Sequence, residues 1–241
     1  MQFIINIAKD KENIMALYDR DYTIDRGNEF AISSERVSFL KKTYQLLALS
    51  MIVAALGAYL TMPFVEQVIQ FRWVVFGAEL LVLFFGLGMS RGKPGLNMMM
   101  LFLFTFLTGV SLVPLLAMLI GAGKAGVIGN AFLGTSILFG ALSLFAINSK
   151  TDFSSWGKPL FITLIVVIVV SIINLFLGSG ILGMIISAAV LLLFGLFTIY
   201  DTQNIVNGAY DSPVDAAVSL YIDFLNMFTV ILQLLGLASD D

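Results

Sequence analysis

Cysteine and histidine are both missing from the 241-residue sequence. The first absence excludes a disulfide framework and a thiolate metal site. The second removes the usual proton shuttle, the Ser-His-Asp machinery and imidazole metal ligands. Any titration near neutrality therefore falls to carboxylates. Charge is also scarce, at 12% Asp, Glu, Lys and Arg, against about 25% in an average soluble domain. What fills the space is hydrocarbon: 59% of residues are hydrophobic and the mean hydropathy is +0.97. This is the composition of a polytopic membrane protein. The formal net charge of -3 decides little, because the placement of basic residues between loops matters more.

The amino-terminal 42 residues are polar, with seven basic and seven acidic side chains. They lack an apolar core behind a basic start, so they are not a secretory signal peptide. They read as a solvent-exposed tail, 1–42, ahead of a transmembrane domain, 43–241. Near the end of the tail, Ser33 or Ser34 is a candidate helix cap, with Glu35 in the first turn.

Seven apolar stretches follow: 43–62, ended by Pro63; 73–90, interrupted by Glu79; 96–120, containing Pro114; 125–148, with scattered Gly and Ser; 160–177; 181–200, running into Asp201; and 215–237. Each is about the 17–25 residues that cross a hydrocarbon core of ~30 Å. Backbone facing lipid must satisfy its own polar groups, so the spans are predicted to be helices. Gly178-Ser179-Gly180 predicts an antiparallel hairpin between the fifth and sixth. Small residues in the fourth span (Gly129, Gly134, Ser136, Gly140, Ser143) predict close helix packing. The run Met98 to Met100 reads as packing rather than metal binding. No Walker, Rossmann, HExxH or GxSxG pattern stands in a suitable context, and no basic patch suits nucleic acid.

Basic residues set the orientation. The tail carries seven, the loop after span two Arg91 and Lys93, and the loop after span four Lys150 and Lys158; the opposite loops carry only Arg72 and Lys124. Lys and Arg gather on the cytoplasmic side, so the amino terminus is expected there. Seven full crossings put Asp240 and Asp241 outside; a re-entrant last segment keeps them inside.

The last stretch is the unusual one. Asp215, Ser219, Asp223, Asn226 and Gln233 step by four, four, three and seven residues, which places them on one helical face. Every other position is nearly always apolar. An acid at the middle of a spanning helix costs about 2.5 to 3.5 kcal/mol on insertion scales, so Asp223 marks a functional site. Span six ends at Asp201. Both acids lie on the order of 10–15 Å from the turn joining spans six and seven, at similar depth. Antiparallel neighbours can bring the two carboxyls together. Two close carboxylates in a low dielectric do not both ionise cheaply, so they are expected to share a proton and titrate as a pair. The functional reading is a latch that is bridged when protonated and that repels itself, while attracting a cation, when the proton leaves. The bland reading is that each acid accepts hydrogen bonds from neighbouring Tyr, Ser or Asn groups. As calcium ligands, Asp201 and Asp223 with Asn226 and Asn204 fall short of the six to eight oxygens of a closed cage, so binding is expected to be weak. Glu79 is a candidate for an outer cation entrance or an acid that snorkels or pairs with Lys124 or Arg72. Ser219, Asn226 and Asn204 are candidates to line an ion path. Arg91 is a candidate to hold a latch carboxylate, or a lipid-headgroup anchor.

The segments "IYDTQNI" (199–205) and "AVSLYIDFLNMFTVILQLLG" (217–236), with the terminal "ASDD", resemble the signature of the Bax inhibitor-1-like family of transmembrane Bax-inhibitor-motif proteins. "KPG" (93–95) and "TDFSSWG" (151–157) extend the likeness, which also takes in the bacterial YccA branch. The resemblance implies an all-α fold of seven transmembrane helices with the C-terminal helix central and the other six around it. It implies a pH-sensitive calcium leak, sensed by an acidic pair that falls here on Asp201 and Asp223, with Arg91 near the place of an arginine that some relatives carry. It also implies association with a membrane-bound AAA protease, as in the YccA branch. The expected function is thus a calcium leak in a bacterial inner membrane, with lipid, calcium ions and protons as partners and no cofactor. The alternatives are a regulator of a membrane protease or of stress signalling acting through the tail, and a proton-coupled transporter. Catalysis is not expected, since no nucleophile–base pair is evident.

Overall fold

The computed structural model describes residues 34–238. The chain divides into two compact units, Met1–Lys42 and Thr43–Asp241. Of the first, only residues 34–42 are described, and they are helical; the remainder of the expected tail, like Asp240 and Asp241, lies outside the described residues. Among the described residues all regular structure is helical. Seven helices among the described residues are long and apolar enough to cross a membrane: α1 (Ser34–Gln70), α2 (Arg72–Ser90), α3 (Pro94–Gly121), α4 (Ala125–Asn148), α5 (Ser154–Leu177), α6 (Gly180–Val206) and α7 (Pro213–Leu237). The expected seven-helix membrane fold is the observed one.

The helices overrun the hydropathy reading at several ends, and two of these differences have a clear local reason. Helical structure in α1 does not stop at Pro63. The proline sits in a 3-10 turn, Met62–Phe64, near its start, where a missing N–H costs little, and α-helix resumes to Gln70. Helix α6 does not stop at Tyr200 but continues to Val206. It ends where Gly208 turns left-handed at φ +77, and the Ala209 N–H closes on the Asn204 carbonyl at 2.8 Å. Asp201 therefore lies inside the helix. The α5–α6 hairpin follows the predicted chemistry. Gly178 is left-handed at φ 62, and the Ser179 hydroxyl caps α6 by accepting from the Leu182 N–H at 3.3 Å. Helix α3 runs through Pro114 without interruption. Helix α2 contains a π-helical turn, Val82–Gly86.

Helix α7 packs on α6, α4 and α3, whereas α5 lies against α6 and α2 against α3. Its inward face carries Ala217, Leu220, Tyr221, Phe224 and Met227, all buried. The Phe224 ring meets Phe132 and Phe139 of α4 edge-on, each at 5.6 Å between centroids. Glycines set the approach of α1 to α3. A Cβ on Gly57 would collide with the Phe106 carbonyl, and one on Gly109 with the Ala54 carbonyl, so the two backbones touch as small-residue membrane interfaces do. Large apolar side chains such as Trp73, Phe84, Leu175 and Phe176 point outward. In water they would form a sticky surface; in a bilayer they are the lipid face.

Hydrogen bonds identify which connections share an end. Residues of the α2–α3, α4–α5 and α6–α7 junctions meet at what we call the Arg91 end. At the opposite end, the Lys124 ammonium donates to the Gly236 carbonyl at 2.9 Å.

Candidate functional site

The α6–α7 pairing places Asp201 and Asp223 against each other. Asp201 stands about one and a half turns before the end of α6, and Asp223 lies eight residues, or about 12 Å, beyond Asp215 in the first turn of α7. Both acids are buried, and their carboxyls stand close enough to interact directly. Two carboxylates are acceptors only, so a hydrogen bond between them would require one shared proton.

Asp201 is the hub. Its Oδ2 accepts from the Ser219 hydroxyl of α7 at 2.7 Å, and its Oδ1 accepts from the Tyr210 phenol of the α6–α7 connection at 2.9 Å. Tyr210 lies beyond the end of α6; burial first, and then the Asp201 charge, push its phenol well above its ordinary range, so it stays a donor. Asp223 is less served. Its Oδ2 is buried with no hydrogen-bond partner. The arrangement thus concentrates donors on one carboxyl and leaves the other dependent on its neighbour. The hydroxyl-acceptor reading weighed from sequence describes Asp201 as well, through Tyr210 and Ser219, but it does not describe Asp223.

The remaining candidates fall elsewhere. Asn204 is buried, one turn beyond Asp201 toward the helix end. Asn226 turns back on its own helix, donating to the Ile222 carbonyl at 2.8 Å. Glu79 is bonded to Ser111 of α3 rather than to Lys124 or Arg72. Arg91 reaches neither acid of the pair. Its Nε lies 3.4 Å from Asp215 Oδ2, because both residues sit at the same end while the pair lies deeper. Asp215 in turn accepts from Asn97 Nδ2 at 3.3 Å, and Ser90 donates to Asn97 Oδ1 at 3.2 Å. This polar cluster ties the α2–α3 junction to the start of α7. Sequence reasoning missed Ser90 and Asn97 in it, since neither stands out until α3 is laid on α7.

Gln203, two residues after Asp201, was also missed. Its buried amide donates to the Thr151 carbonyl at 2.6 Å and accepts from the Phe153 N–H at 2.7 Å. It clamps the α4–α5 loop to the helix that carries Asp201. The "TDFSSWG" and "YDTQ" segments, both legible as motifs, are thus one contact. Among the described residues there is no group of three or more potential His, Cys, Asp or Glu metal ligands. A cation at the pair would meet two carboxyls and neutral oxygens only.

The sequence model of the family described as inhibitor of apoptosis-promoting Bax1 matches residues 36–240. A protein of Helicobacter pylori strain J99 is 51% identical over 94% of this chain and 99% of its own length. A Campylobacter jejuni protein is 42% identical over 92% of this chain and 97% of its own. A Vibrio cholerae protein described as a membrane protein is 34% identical over 84% of this chain and 90% of its own.

Proposed function

Because this chain belongs to the Bax inhibitor-1 family and is a multi-pass membrane protein, we propose that it is a pH-sensitive cation leak, with calcium as cargo, gated by Asp201 and Asp223. The observation that carries the reading is the buried carboxyl–carboxyl contact between α6 and α7. With its proton, the contact ties the two helices together. Without it, two buried unit charges about 4 Å apart at an effective dielectric of ~20 repel by about 4 kcal/mol, enough to bias a two-state element by roughly a thousandfold. The same charges offer a cation a weak, transient site. The closed form binds one more proton than the open form, so raising pH favours opening. Tyr210 and Ser219 keep Asp201 in place while this happens. In this reading the Arg91 end faces the cytoplasm, which the basic residues at 91–93 and 150–158 support, and the membrane is a bacterial inner membrane, which the bacterial relatives support.

The test is calcium flux into liposomes containing the purified protein, across the neutral pH range. Wild-type flux rises with pH. The double variant Asp201→Asn, Asp223→Asn gives a flux that no longer follows pH. An unchanged pH profile in the double variant removes the gate assignment.

A further inference from the structure

We propose that the cavity enclosed by α1, α3, α4 and α7 is a binding site for one acyl chain of a bilayer lipid. The cavity has a volume of about 300 Å³. That is the low end of the roughly 300–1,000 Å³ of ligand pockets, and about twice the ~150 Å³ apolar void that stays dry yet takes up apolar guests. Its walls are aliphatic and aromatic, with Ala58, Leu116, Phe132, Phe224 and Phe228 among them. The one polar side chain in the lining, Tyr221, has its hydroxyl bonded to Thr108. Nothing there would hold water or an ion.

The mouth decides the occupant. Ala55 of α1 and Gly129 of α4 line the cavity and are also exposed. Neither presents more than a methyl group to the surface. Ile52, Leu56 and Leu133 around them are exposed and apolar, part of the face that the membrane-spanning helices turn to lipid. The opening is thus continuous with the lipid interface, and hydrocarbon is what stands in front of it. Entry gains nothing from leaving water, since the chain is already in oil. It gains dispersion contacts with walls that otherwise lack a partner on one side. A chain in this site touches Tyr221 and Phe224, the residues on either side of the turn that holds Asp223. The site stands whether or not the protein conducts ions.

The experiment uses the full chain in liposomes doped with a phosphatidylcholine carrying a diazirine near the end of one acyl chain, followed by photolysis and mapping of adducts. Tyr221 and Phe224 are 2% and 5% exposed, so lipid at the protein surface does not reach them. The expected result is adducts on these two residues as well as on outward residues such as Leu133 and Ile137. In Gly129→Leu, where an added Cβ meets no atom within 4 Å, and in Ala55→Phe, adducts at Tyr221 and Phe224 fall at least several-fold. Adducts at Leu133 and Ile137 persist and report an intact fold. Adducts confined to exposed residues in the wild type, or buried adducts undiminished in both filled variants, overturn the assignment.

Discussion

Asp223→Asn separates the proton from the rest of the site. In the proposed gate a protonated Asp223 donates to Asp201, and an amide Nδ2 in the same place donates permanently. The amide oxygen then takes the position of Oδ2, which is buried without a partner in the native protein, and the one added unpartnered group is the second amide N–H. Tyr210 and Ser219 keep their bonds to Asp201. What disappears is the doubly charged state, worth about 4 kcal/mol of repulsion at ~4 Å and an effective dielectric of ~20. At about 1.4 kcal/mol per tenfold, that is close to three orders of magnitude in the opening equilibrium. The variant at alkaline pH should therefore leak no faster than the wild type at acid pH, in the same liposome calcium-flux assay. Its unfolding free energy in detergent should fall by no more than the cost of one unpartnered N–H, about 1–3 kcal/mol. A variant whose flux climbs with pH as the wild type's does would refute the electrostatic account even if the two acids touch.

Tyr210→Phe removes a hydrogen bond to a buried carboxylate, and the expected cost is about 1.5–3 kcal/mol in thermal or denaturant unfolding. Arg91→Ala breaks an ion pair whose arginine is 72% exposed; its effect on stability should stay within about 1 kcal/mol, and the pH midpoint of flux should not move. Gly109→Val drives a side chain into the Ala54 backbone and should lower stability by about 1–3 kcal/mol or more, whereas Gly134→Ala, with open space around it, should leave the melting midpoint nearly unchanged. Removing residues 1–33 should leave calcium flux intact; loss of flux would favour a role for the tail in transport.

Hydropathy made the number and rough extent of the helices legible, because lipid imposes one rule on every span. The Gly178–Gly180 hairpin and the depth match of Asp201 with Asp223 were legible too, since both rest on local geometry and helix rise. The ends were less so. Pro63 looks like a terminator unless the 3-10 turn around it is known, and Asp201 looks like a boundary because it is charged. The partners of the acids required three-dimensional placement. Nothing in the sequence joins Tyr210 to Asp201 across a turn, Gln203 to a loop fifty residues earlier, or Arg91 to Asp215 rather than to the deeper pair. Gly57 and Gly109 stood among 21 glycines, and only the crossing of α1 and α3 singles them out.

The π-helical turn in α2 has a mechanical corollary. It houses one residue more than an α-turn between Glu79 and Ser90. Deleting Leu83 would let the segment relax into an ordinary helix without breaking a span. Because the bulge completes one turn with a residue to spare, the stretches on either side would keep close to their present faces and length. The same deletion in the regular helix at Gly88 would instead swivel one side by about 100° and shorten the rod by about 1.5 Å, so that Glu79 and Ser90 could no longer both dock on α3. The wound-in residue is thus slack that the rod can lose while keeping both polar fastenings.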